Sequence, residues 1–416
     1  MSLVSDPDGS RDDGEPGGPR GDAAPDGPRA GALPPLHRLE FAAAARPRPV
    51  SRPDGGTAWL VTRYKDVRQV LTDPRFSRAQ LYTEDAPRTS GTPNVADTPE
   101  SMFNQDGPDH LRLRRTVQQA FTPRAVGRWR PWVASVVERL LDDLVDTGAP
   151  ADLVASFTRP LPFAVISTLM GLEGLEPARL RHWASYAFAD GSDSRKDAAE
   201  ARAQFGRFAA RLLAERRREP GDDLVSRLVR AADQEGGIPE EQLVQLVCGL
   251  AAGGNDSATA AIGNAVVYLL SERRTSWPRL ACTERARVAT ERLIHRIPLG
   301  DEESGTRRAV SDVRVGGVTI PAGSVVAVSF GSANRDPEVF PPEHPGDLFA
   351  PLDAPTMAFG AGPHHCLGSW LIRMEMHLSL ERLATRLPGL RLAEPVGAIE
   401  WHRTTTRSPQ RLRVLW

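Results

Sequence analysis

Apolar residues recur at three- and four-residue intervals along most of the chain, the spacing that turns one face of an α-helix toward a core. It predicts helices over Leu33 to Arg46, Tyr64 to Leu71, His110 to Phe121, Trp129 to Asp146, Leu153 to Leu172, Pro177 to Phe188, Lys196 to Arg218 and Asp222 to Glu235. The stretch Asp73-Pro74-Arg75-Phe76-Ser77 closes the second of these. Apolar, β-branched runs bounded by turn residues predict strands at Trp59 to Thr62 and between Val310 and Val328, where Gly316-Gly317 and Pro321-Ala322-Gly323 supply turns. Ala79 to Asn104 is polar, proline-containing and aperiodic. The Asp190 to Ser194 break reads as a weakly held joint between two helices. No internal repeat is visible. The pattern is that of a mainly α protein with small β-sheets, an α+β class.

Pro239 to Ser271 is apolar and long enough to be a central buried helix. Its middle reads Gly253-Gly254-Asn255-Asp256-Ser257. Two adjacent glycines cost a helix about 1 kcal/mol each relative to alanine, and a polar run in a core helix adds a desolvation cost. Such a local conflict is expected where function needs a groove. The plainer alternative is a bend in which Ser257 bonds back to the preceding turn.

Composition narrows the class. A chain of 416 residues can bury a large core, and by length alone allows two or three domains. Residues 1–32 are rich in Gly, Pro, Asp and Arg and are predicted to be a disordered tail. The net charge of −1 gives no electrostatic case for nucleic acid or an acidic membrane surface. No long apolar run or signal peptide opens the chain, so no membrane anchor is expected. Cys248, Cys282 and Cys366 form no Cys-x-x-Cys pair, which fits a reducing cytoplasm. Lys65 and Lys196 are the only lysines, a codon bias of a GC-rich genome rather than a mechanism.

The densest chemistry is Phe359-Gly360-Ala361-Gly362-Pro363-His364-His365-Cys366-Leu367-Gly368, directly before a helical pattern. Glycines allow close approaches that a Cβ would block. A helix N-terminus behind the sulfur favours the thiolate. A buried structural cysteine is the bland alternative. A zinc site of His364, His365 and Cys366 is another, but zinc usually takes four ligands and no further pair is evident. His110 and Arg114 lie four apart on one helical face, two donors suited to a carboxylate.

The loop resembles the Phe-Gly-x-Gly-x-His-x-Cys-x-Gly haem-binding segment of the cytochrome P450 family, and Leu371-Ile372-Arg373-Met374-Glu375 continues the likeness. The resemblance implies that residues 33–416 form a single domain, an expectation that comes from this likeness and not from length. It implies haem b held between a long central helix and the helix after the cysteine loop, with Cys366 as iron ligand. A cysteine thiolate on haem iron favours O–O cleavage. It implies that Phe359, Gly360 and Gly368 shape the loop, and that His110, Arg114, Arg307 and His364 hold the haem propionates. It places Gly253 and Gly254 where dioxygen needs room, Asp256 as proton relay and Ser257, in the usual threonine's place, as hydrogen-bond partner of dioxygen. A second register would put Asn255 and Asp256 in those two roles. The implied enzyme is a soluble, actinomycete-like, cytoplasmic monooxygenase or oxidase, expected to be a monomer. Electrons would come from NAD(P)H through a ferredoxin reductase and a ferredoxin, with Arg115 and Arg373 as docking candidates. The substrate would be a small hydrophobic molecule, hydroxylated or coupled through C–C or C–N bonds in natural-product biosynthesis. Ala79 to Asn104 would lie over the substrate pocket. A catalytically degenerate relative that activates another enzyme is the competing class.

One departure stands out. The family's Glu-x-x-Arg positions before its proline turn fall on Arg292 and His295, counted from Pro298. The partner arginine's region carries Pro345 and Gly346. Loss of a whole buried ionic set can be neutral where loss of one member is not. A new partner such as Glu343 is expected for Arg292 or His295.

Overall fold

The computed structural model describes residues 42–52, 56–83, 98–172, 174–187, 195–234, 237–297, 299, 305–341, 347–402 and 406–416. Its strands are β1 (Arg48–Ser51), β2 (Thr57–Val61), β3 (Phe76–Ser77), β4 (Ala151–Asp152), β5 (Arg307–Ala309), β6 (Val313–Val315), β7 (Val318–Ile320), β8 (Val325–Val328), β9 (Arg391–Leu392) and β10 (Arg413–Leu415). They form a sheet in the order β1-β2-β8-β5-β3, a sheet β4-β10-β9 and the hairpin β6-β7. In the first sheet β2 and β8 run parallel, with Leu60 opposite Ala327, and the other neighbours are antiparallel.

The helices are α1 (Tyr64–Thr72), α2 (Gly107–Gln118), α3 (Pro123–Thr147), α4 (Pro160–Met170), α5 (Pro177–Ala187), α6 (Arg195–Arg218), α7 (Leu224–Gln234), α8 (Glu240–Gly253), α9 (Asp256–Glu272), α10 (Thr283–Arg296), α11 (Phe330–Ala333) and α12 (Ser369–Arg386). Every residue of α9 from Ala258 to Leu270 is buried, which is why its sequence lacks a polar stripe. α12 is buried on most sides as well and packs on α3, α9 and α10. These two helices make the core on which the site is built. Each fully buried Leu, Val or Ile there contributes about 1.5–3 kcal/mol.

Most predicted elements are present within a few residues of their expected ends. The first predicted helix is a correction. Residues up to 41 lie outside the described set, and 42–46 are not helical. Pro47 and Pro49 follow at once, and a residue before proline avoids the α region. Ala45 instead donates its N–H to Thr62 Oγ1, and β1 follows as an edge strand that tolerates Pro49. The stretch expected as one helix from Leu153 opens with a π-helical turn, Val154–Thr158, before α4. The expected central helix is two helices, α8 and α9, with Gly254 and Asn255 between them. The predicted tail, the joint at Asp190 to Ser194 and part of the loop from Ala79 to Asn104 lie outside the described residues. Among the described residues, no helix is long and apolar enough to cross a membrane.

Candidate active site

The cysteine loop is folded by its own backbone. Cys366 N–H donates to the Phe359 carbonyl at 2.9 Å and closes the loop. Gly360 and Gly362 take positive φ of 67° and 70°. At Gly362 a Cβ would lie 2.5 Å from the Leu71 carbonyl oxygen, so only glycine lets the loop seat on the end of α1. Gly368 precedes α12 and aims its N–H at the Cys366 sulfur. Burial pushes the thiol up, while Gly368 N–H and the cations Arg114 and Arg373 act the other way. Cys366 nonetheless keeps accessible surface, so it is crowded by protein without being sealed.

Beside this loop lies a cationic cluster. His110 is 1% exposed on α2, and its ring stacks 4.2 Å from His364. Arg114 donates to the His365 carbonyl at 2.5 Å and ties α2 to the loop. Arg307, on β5, is 3% exposed and donates to the Thr306 carbonyl. Burial, then the field of Arg78, pushes Arg307 down to about 9. Burial, then the charges of His364 and Arg114, pushes His110 down to about 4. His110 Nδ1 is buried and has no hydrogen-bond partner among the described residues.

The sequence reading missed the carboxylate in this cluster, Asp106. It accepts from Ser77 Oγ at 2.7 Å and from the backbone N–H groups of Arg78 and Ala79 at 2.8 Å, and lies 3.3 Å from His364 Nε2. Burial opposes its ionisation, but His364 and the other donors outweigh that and hold its carboxyl well below the usual range. An acid just before Gly107-Pro108 at a helix start was the available signal. The cluster therefore has two buried or half-buried guanidinium groups and two imidazoles around one carboxylate. That donor set suits a further anion with carboxylate groups.

The break between α8 and α9 brings the second set together. Ser257 Oγ donates to the Gly253 carbonyl at 2.8 Å, the back-bond expected of a bent helix. Asn255 Nδ2 donates to Asp256 Oδ1 at 2.7 Å. Burial raises the Asp256 carboxyl, against the Asn255 bond and the charges of Arg159 and Arg181. The two glycines differ. A Cβ on Gly253 would meet nothing within 4 Å, whereas one on Gly254 would lie 2.7 Å from Ile166 Cδ1. Gly253 is the open position, and Gly254 is a packing contact with α4 rather than a source of room.

A small apolar cavity of about 20 Å³ lies where α9, α10 and α12 meet the start of the cysteine loop. It is lined by Ala261 of α9, Ile294 of α10, Phe359 of the loop and Ile372 and Met376 of α12, among others. Gly253, Ser257 and Ala261 are spaced by four residues and share one face of the broken helix. An accessible cysteine beside a cation cluster suits a group that offers a metal to the sulfur and carboxylates to the cations, as haem does. Among the described residues, no group of three or more His, Cys, Asp and Glu side chains could hold a metal ion, which leaves the zinc alternative without ligands.

The missing Glu-x-x-Arg pair is replaced by neutral contacts. Arg292 donates to the carbonyls of Ala350 and Pro351 at 2.7 and 2.5 Å. The His295 ring packs on Phe340 at 4.4 Å, and burial, then Arg292, lowers it to about 4. Asn334, 2% exposed, donates to the His295 carbonyl and to Thr356 Oγ1, and accepts from the Met357 N–H. It joins α10 to the segment leading into the cysteine loop. Glu343, Pro345 and Gly346 lie outside the described residues. Arg115 is exposed, but Arg373, expected as a docking charge, is bound to Glu291 at 2.7 Å.

Comparison with known proteins identifies the family. The family described as cytochrome P450 matches residues 299–387. Nocardicin C N-oxygenase of Nocardia uniformis subsp. tsuyamanensis is 42% identical, over 88% of this chain and 92% of that protein. Mycinamicin IV hydroxylase/epoxidase of Micromonospora griseorubida is 40% identical, over 88% and 92%. A crystal structure of a cytochrome P450 with biaryl coupling reactivity superposes with a TM-score of 0.81 at 37% identity, over 87% of this chain and 91% of that one. The chain belongs to the cytochrome P450 family, and it is a monooxygenase of the bacterial, natural-product type.

Proposed function

We propose that this enzyme oxidises a small hydrophobic natural product, by oxygen insertion at carbon or nitrogen or by oxidative coupling, with electrons delivered from NAD(P)H by a ferredoxin reductase and a ferredoxin. The observation that carries the reading is the Cys366 sulfur, accepting from Gly368 N–H at the head of α12. Cys366 would bind the haem iron, and His110, Arg114, Arg307 and His364 would hold the haem carboxylates. The bound haem supplies dioxygen activation. The chain's own groups do the rest. Gly368 N–H and the guanidinium groups of Arg114 and Arg373 would favour negative charge on an iron-bound sulfur, against the burial that pushes the free thiol up. The Ser257 hydroxyl donates a hydrogen bond to the Gly253 carbonyl, which leaves its oxygen as an acceptor. Asp256, whose carboxyl burial raises and whose Oδ1 accepts from Asn255, is the acid placed beside Ser257 to pass a proton.

The breadth of oxidation in the proposal follows the relatives, whose names state N-oxygenation, hydroxylation with epoxidation, and biaryl coupling. The test is a spin-state titration of the haem-loaded protein with candidate metabolites, followed by product analysis with a ferredoxin system. Tight binding with a high-spin shift and an oxidised product supports the reading. Reduction of the iron by the donor with no oxidised product from any binding metabolite would sink it.

A further inference from the structure

A haem-thiolate loop needs a rigid support, and in this chain the expected ionic set is gone. Burial leaves α10 with Glu291 one position before the vacated acid site. A shift of one residue turns a side chain by about 100° around a helix. Glu291 accordingly faces α12, where Arg373 Nε donates to its Oε1 at 2.7 Å. Arg373 Nη1 also donates to the Ser369 carbonyl at 3.2 Å. The guanidinium carbon lies 4.5 Å from the Phe359 ring centroid and 5.1 Å from that of Trp370. One planar cation thus touches α10, the first residue of the cysteine loop and the first turn of α12. Its side chain and that of Glu291 are 19% and 32% exposed, more shielded than an ordinary surface pair.

We propose that Arg373, paired with Glu291 and sandwiched between Phe359 and Trp370, is the positioning residue that holds the Cys366 loop in its ligating geometry. The proposal rests on Cys366 being the haem ligand. The sandwich fixes the Phe359 ring, and the Phe359 carbonyl in turn receives the Cys366 N–H. Loss of the guanidinium frees the start of the loop, and the sulfur escapes its position while the rest of the core stays packed. Arginine suits this place because a lysine ammonium cannot stack on two rings and reach the carboxylate together.

The test uses haem-loaded, full-length protein and reads the ferrous carbon monoxide spectrum, the haem reduction potential and far-UV circular dichroism. In Arg373→Ala the ratio of red-shifted thiolate band to blue-shifted band falls about tenfold, equivalent to about 1.4 kcal/mol of lost bracing. The potential drops with the loss of a cation near the sulfur. Arg373→Lys recovers the potential more fully than the band ratio, which a purely structural role would not separate. A folded Arg373→Ala with the wild-type band ratio overturns the proposal. If that variant does not fold, wild-type ratios in both Arg373→Lys and Glu291→Gln overturn it. Absence of the thiolate band from wild type itself overturns the ligand assignment, and the brace with it.

Discussion

Replacing Asn334 by alanine should loosen the joint between α10 and the cysteine loop. The side chain makes three buried hydrogen bonds, at 3.0 Å to the His295 carbonyl, 3.1 Å to Thr356 Oγ1 and 2.7 Å from the Met357 N–H. A typical intramolecular hydrogen bond contributes about 1 kcal/mol net, and orphaned buried partners cost more. Asn334→Ala therefore costs about 3 kcal/mol. Unfolding entropy near 60 °C is about 2.1 cal/mol/K per residue, so a chain of 416 residues loses about 1 °C of melting temperature per kcal/mol. The expected drop is about 3–4 °C, read by circular dichroism at a fixed scan rate. Asn334→Asp keeps the acceptor for Met357 but loses both donors, and its carboxylate faces a carbonyl. It should lose at least as much. A melting temperature for Asn334→Ala within about 1 °C of wild type would refute the claim that this amide joins α10 to the segment leading into the cysteine loop.

Asp256→Asn should slow turnover about 100-fold, the range of a lost proton-transfer group. Ser257→Thr should retain activity that Ser257→Ala loses to peroxide release; product-to-peroxide ratios check both. Glu375 is buried in α12, raised to about 8 by burial, and its Oε2 has no hydrogen-bond partner among the described residues. Its folded value exceeds the unfolded one, so the stability it lends is full below about pH 4.5 and lost as pH rises through about 8. Glu375→Gln should flatten the fall in melting temperature across that window, and an unchanged slope would contradict it. His110 and His295 work in the opposite sense. Both are depressed to about 4, so the stability they lend is present above their ordinary range and lost as pH falls toward about 4. Raising ionic strength should slow reduction by ferredoxin if exposed Arg115 meets acidic groups on the donor, and Arg115→Ala should blunt that dependence.

The cysteine loop was legible in the sequence because its chemistry restricts nearly every position, down to the glycine that must clear the Leu71 carbonyl. The broken central helix was visible as a conflict between apolar surroundings and Gly-Gly-Asn-Asp-Ser. Its consequences were only half visible, since nothing in the pair Gly253-Gly254 says which one faces Ile166. Asp106, Asn334 and Glu291 escaped notice for a common reason. Each acts across a long sequence separation, on backbone groups or on side chains that only the fold brings near. Arg373 was misjudged similarly: an arginine at a helix start looks like a surface charge until its carboxylate and two rings are in place. The helix expected from Leu33 failed at its described end because two prolines outweighed the alanine-rich run.

The most direct test is the ferrous carbon monoxide difference spectrum of freshly purified, haem-loaded protein, taken for wild type and for Cys366→Ala. A red-shifted thiolate band in wild type that disappears from the variant is the predicted result. A wild-type protein without that band, or a variant that keeps it, would contradict the assignment of the Cys366 sulfur as the iron ligand.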